Sequence, residues 1–131
     1  MAVAEKPLYY LTIHEAQQLI HGRKLSPVEL TKSVLDRIAA VDSKLHAYIN
    51  LMADSAMNAA RAAEAEIAKG NWRGPMHGIP FAVKDQLDVE GAPARVRQFT
   101  KGVGDATPVR KLREAGAVLM EIDPRPFQAA L

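Results

Sequence analysis

The chain has 131 residues, of which 48% are hydrophobic, and a formal charge of +2. That length fits one modest domain or a piece of a larger one, and the apolar content argues against wholesale disorder. Cysteine is absent, which excludes disulfides, thiolate zinc sites and cysteine nucleophiles.

Basic residues gather late, at Arg95, Arg97, Lys101, Arg110, Lys111 and Arg113, with Asp105 and Glu114 among them. Aromatic side chains do not alternate with these charges, so a solvated face is expected rather than a nucleic-acid surface. The first ten residues lack an apolar run of signal-peptide length, and Glu5 and Lys6 interrupt them. No stretch reaches bilayer-spanning length. A cytoplasmic setting without a membrane partner is the expectation.

After a tail over 1–10, residues 11–70 read as mainly helical. Thr12 with Glu15 forms a capping-box pattern ahead of an apolar stripe of Ile13, Ala16, Leu19 and Ile20, and Gly22 supplies a stop. Ser26-Pro27-Val28-Glu29 is a stronger start, because serine can cap, proline suits the first turn and Glu29 can reach back. Leu45 to Met52 shows weak strand alternation. The alanine-rich segment 54–69 predicts a helix capped by Asp54 and stopped by Gly70. Residues 71–78 read as a loop, and 79–83 as a short buried strand. Thr107-Pro108 opens another helix that Gly116 ends. A second buried strand follows over 117–120, and Pro124 and Pro126 bar regular structure in a tail over 121–131. The sum is one α/β unit with helices first and then strand-helix-strand.

Phosphate-cradling glycine loops, paired-histidine zinc motifs and nucleophile elbows are all missing. His14, His21, His46 and His77 are scattered and read as surface residues or satisfied partners. Lys84 stands apart because it terminates a buried strand, and strand ends in α/β sheets are where sites are built. Held in a dry pocket, its amine would lose the solvation that favours its charge, and its pKa would fall from about 10.4 toward that of a usable base. The ordinary alternative is a lysine that leaves the sheet edge and ionises in water, pairing with Asp85.

The string Gly74-Pro75-Met76-His77-Gly78-Ile79-Pro80, running through Val83-Lys84-Asp85 to Asp88-Val89-Glu90-Gly91, resembles the amidase signature family. Ser26-Pro27-Val28-Glu29-Leu30, Leu45-His46-Ala47-Tyr48-Ile49 and Leu112-Arg113-Glu114-Ala115-Gly116-Ala117-Val118 extend the likeness over roughly residues 11–120. The resemblance implies a partial mixed sheet and hydrolysis of carbon–nitrogen bonds by a nucleophilic serine, a second serine in a cis peptide and a lysine, matched here by Lys84. It covers both amidases of small amide substrates and the A subunit of glutamyl-tRNA amidotransferase.

Two departures stand out. Ala94-Arg95-Val96-Arg97-Gln98 replaces the family's threonine, glycine and serine run, and Glu121-Ile122-Asp123-Pro124 replaces its glycine-lysine-threonine-asparagine. The serine-rich segment holding both catalytic serines would lie past Leu131. Only Ser26, Ser33, Ser43 and Ser55 occur, all in or beside predicted N-terminal helices. The expectation is therefore a truncated, catalytically incomplete chain. Apolar sides of 54–69, 79–83 and 117–120 would be left partly uncovered, inviting self-association or a partner chain. A non-enzymatic remnant that binds another protein is the rival reading.

Overall fold

The structure is a computed structural model and describes residues 6–48, 50–84, 87, 89–90 and 104–123. Its first helix, α1 (Ile13–His21), begins as its capping pattern predicts. Thr12 Oγ1 accepts from the Glu15 N–H at 3.1 Å, while a Glu15 carboxylate oxygen accepts from the Thr12 N–H at 2.8 Å. Lys6 also donates to Glu15, and with the Thr12 N–H it holds that carboxyl at a pKa of about 2. A 3-10 turn, Leu8–Tyr10, occupies part of the expected tail. Gly22 caps the C-terminus of α1.

Helix α2 (Pro27–Leu45) starts at Ser26, whose Oγ accepts from the Val28 N–H and donates to Glu64 on the next helix. It runs to Leu45, further than the strand-like alternation from that residue suggests. His46 closes it in the left-handed region at φ 50°, and Asp42 Oδ1 then accepts from the Ala47 and Tyr48 N–H groups. Strand β1 is only Asn50–Leu51. Helix α3 (Ala53–Ala68) follows without the expected Asp54 cap. Its N-cap, Met52, makes no side-chain cap, and the Met52 N–H donates to Met120 O at 2.8 Å. The start of α3 is thus set by the sheet and not by a local side chain.

Strand β2 (Pro80–Lys84) and strand β3 (Val118–Asp123) pair in parallel, joined through helix α4 (Thr107–Glu114). Strand β1 pairs antiparallel with β3, so the mixed sheet has the order β1-β3-β2. Strand β3 continues through Asp123, where the sequence pattern predicts an irregular tail. Charged Glu121 and Asp123 disguise a segment that the neighbouring strands on both sides hydrogen-bond into a ladder. Residues 124–131 of that tail lie outside the described residues.

Three apolar clusters hold these elements together. Ile20, Leu25, Leu30, Ile67 and Ile79 join α1, α2, α3 and the start of β2. His21 caps this region by stacking on Trp72 at 3.8 Å. Ile38, Ala56, Ala60, Val118 and Met120 seat α2 and α3 on one face of the sheet. The small alanines let α3 approach closely. Val83, Val89, Val109 and Leu119 seat α4 on the other face. Within 54–69, 79–83 and 117–120, Ala56, Ala60, Ala63, Ile67, Ile79, Val83 and all of 117–120 are buried, while Ala62, Ala65, Ala68 and Ala82 are exposed and Phe81 is half-buried. Among the described residues, no helix is long and apolar enough to cross a membrane.

Candidate active site

The site predicted from sequence lies where β2 ends. Phe81 and Val83 enter the cluster beneath α4, and Lys84 is the last residue of the strand, opposite Asp123 of β3. Because both strands run the same way, Lys84 and Asp123 share the C-terminal edge of the parallel pair, the edge at which α/β sheets build ligand sites. Asp85 and Asp88 lie outside the described residues, as does 91–103, which holds the first departure from the family pattern.

Glu90 is tied to α4 through Asp105. One of the Asp105 carboxylate oxygens accepts from the Glu90 N–H at 2.8 Å, and the other lies 3.3 Å from Arg113 of α4. Val89 is buried beside Val83 and Val109. Val89 and Glu90 are therefore gathered against α4. Arg113 and Arg110, which the charge pattern assigns to a solvated basic face, are both ion-paired, the second with Glu114 at 3.0 Å.

The approach to β2 is held by a different device. His77 is 1% exposed. Its Nδ1 accepts from the Arg73 N–H at 3.0 Å, so the proton of the neutral ring belongs on Nε2, 3.0 Å from a Glu66 carboxylate oxygen. That Nε2 contact is an ion-pair distance without good hydrogen-bond alignment. Burial pushes the His77 pKa below its usual value, the neighbouring Glu66 carboxylate pulls it back up, and Arg73 adds to the lowering. Arg73 itself reaches Glu66 at 2.7 Å and the Glu114 carbonyl at 3.1 Å.

Two glycines make room for this arrangement. A Cβ at Gly116 would stand 2.3 Å from His77 Cδ2, and one at Gly78 would stand 2.6 Å from Pro27 Cγ. Both sit at positive φ, 83° and 80°. Segments far apart in the chain, 26–30, 74–80 and 112–118, thus touch one another at His77, Gly78, Pro27 and Gly116. Their shared role is to seat β2. The sequence alone leaves His77 as a surface residue or a satisfied partner, because Glu66 and Gly116 lie 11 and 39 positions away with no local pattern linking them.

A cleft of about 270 Å³ opens beside His77, lined by Ser55, Ala59, Glu66, Arg73 and Arg113 among others. It borders Gly116 and Ala117 at the start of β3, the opposite end of the strands from Lys84. Of the four serines, Ser26 caps α2, Ser33 and Ser43 ride on α2, and Ser55 is in the first turn of α3. Among the described residues, no group of three or more histidine, aspartate or glutamate side chains is placed to hold a metal ion.

Known proteins resemble this chain in sequence and fold. The family profile described as Amidase matches residues 29–120. In Moorella thermoacetica, the A subunit of glutamyl-tRNA(Gln) amidotransferase is 43% identical over 117 residues, covering 86% of this chain and 24% of that protein. A putative amidase, AmiD, of Mycobacterium tuberculosis is 40% identical over 121 residues, covering 88% of this chain and 25% of that protein. The solved peptide amidase from Stenotrophomonas maltophilia superposes with a TM-score of 0.79 at 32% identity, over 89% of this chain and 25% of that one. The chain spans about a quarter of the length of the relatives it matches. With most of its length inside the family match, and the mixed sheet and helices of its solved relatives, the chain belongs to the amidase signature family.

Proposed function

We propose that this chain supplies the lysine-bearing portion of a hydrolase of carbon–nitrogen bonds, with Lys84 as the base. In that reading the neutral amine takes a proton through a bridging cis-serine while a second serine attacks the amide carbonyl. The lysine's proton passes back to the departing nitrogen as the carbon–nitrogen bond breaks and the acyl-enzyme forms. Water then hydrolyses that ester to the acid and the free serine. No cofactor is required. The observation that supports this most directly is the position of Lys84 as the terminal residue of a parallel strand inside the family match.

By itself the chain is expected to be inactive. None of its serines lies in β2, β3 or the stretch between them, and without a nucleophile and oxyanion donors the covalent route is closed. Loss of a single oxyanion donor already costs about 10²–10³ in kcat, while a lone general base supplies about 10²–10⁴. The amidotransferase relatives support a second substrate assignment, release of ammonia from glutamine, carried by the same lysine chemistry.

A chimera tests the proposal. Residues 11–120 would replace the matching quarter of the Stenotrophomonas maltophilia peptide amidase, and amide hydrolysis would be assayed with and without Lys84→Ala. The active chimera should lose at least about 10²-fold in kcat on substitution. Equal rates would remove Lys84 from the mechanism. Strong labelling of the purified 131-residue chain by a fluorophosphonate would contradict its inactivity.

A further inference from the structure

Strand β3 poses a problem of register. Val118, Leu119 and Met120, the first half of β3, are all buried, so alternation of apolar and polar residues does not mark where the strand begins to pair. A slip of one residue would move a side chain by about 3.3 Å and reverse its face. The pairing also contains an irregularity. Phe81 faces Leu119 but Ala82 faces Glu121, leaving Met120 as an extra residue. A stop at the beginning of the two strands would fix the register on the near side of that extra residue.

That stop is present immediately before both strands. The Gly78 N–H donates to Gly116 O at 2.9 Å, and the Val118 N–H to Ile79 O at 2.8 Å. Directly behind these bonds the His77 ring lies against Gly116, so closely that no Cβ fits between them. The ring is itself fixed by Arg73 from the loop and Glu66 from α3. We infer that His77 sets the register of β2 on β3 and is thereby a positioning residue for Lys84. The register half stands on the contacts above. The functional half rests on the proposed role of Lys84.

The test is NMR on the full chain, reading cross-strand contacts between Phe81 and Leu119 and hydrogen exchange at the Val118 amide. His77→Ala should add a second set of contacts, with Phe81 opposite Val118 or Met120, and speed Val118 exchange by several-fold to roughly tenfold, as for a lost buried hydrogen bond. His77→Asn, whose Oδ1 can still accept from the Arg73 N–H, should restore a single register. If His77→Ala keeps one register with Val118 protection unchanged, the ring is only filler and the inference fails, while the reading of Lys84 stands. If both variants unfold, the unmodified chain decides. Protonating His77 removes its Nδ1 acceptor, so Val118 and Ile79 amide shifts should follow the ring's own titration. Glu66, Arg73 and Arg113 are the charged groups facing it. Amide shifts indifferent to that titration would overturn the inference.

Discussion

Replacing Gly116 by alanine isolates the contact on which the seat of β2 depends. The new Cβ would sit 2.3 Å from His77 Cδ2 and 3.0 Å from Cγ, against a ring that is buried and held from two sides. The ring cannot swing aside without releasing Arg73 or Glu66. Two costs combine. An L-residue at φ 83° pays about 1–2 kcal/mol for the left-handed conformation. Overpacking adds about 1–3 kcal/mol. Gly70 is the internal control, because its φ is 87° yet nothing lies within 4 Å of its missing Cβ. Gly70→Ala should therefore cost the conformational part alone. In urea unfolding, with a slope of roughly 1–3 kcal/mol per M, the two variants should separate by about 0.5–2 M in midpoint. Adding His77→Ala to Gly116→Ala should return part of the loss, since the ring that clashes is gone. Equal midpoints for the two alanine variants would show that the ring yields freely, and the account of a rigid seat would fall.

Thr31 is fully buried on α2, and its Oγ1 has no hydrogen-bond partner among the described residues. Thr31→Val keeps the shape and removes the desolvated hydroxyl, so the chain should be unchanged to about 1 kcal/mol more stable. A loss above that in chemical unfolding would reveal a bond to the hydroxyl. The His77 site predicts a pH dependence of stability. Its folded pKa lies below the unfolded value of about 6.5, so the unfolded chain takes up a proton first as pH falls. The His77 contribution is full above that value and is lost between it and the lower folded pKa. His77→Asn should flatten this part of the profile, and an unaltered slope would assign it to other groups.

Local chemistry made the helix starts legible. Thr12 with Glu15 and Ser26 with Glu29 satisfy the first N–H groups of α1 and α2 within four residues of sequence, so the pattern and the bond are nearly one object. The strand ending in Lys84 could be read for a similar reason, as a short apolar run cut off by charge. Features set by distant partners could not. The start of α3 depends on Met120 through the N–H of Met52, and Asp54, the obvious local cap, is not used. The last three residues of β3 carry two acidic side chains and look like loop, yet Asn50 and Leu51 on one side and Ala82, Val83 and Lys84 on the other draw them into the sheet. The strand end that carries Lys84 was legible because its motif is contiguous. The seat beneath it was not, since its parts come from four segments and include glycines, whose contribution is the absence of a side chain.

The extra residue in β3 alters how the strand can be interpreted. Before Met120 the partner numbers in the two parallel strands differ by one constant, and after it by that constant plus one. Partners counted off one by one from Val118 therefore come out one residue wrong from Glu121 to Asp123. Any redesign of the edge that Lys84 occupies has to begin its count on the far side of Met120, treating the ladder as two short flights joined by a half-step landing.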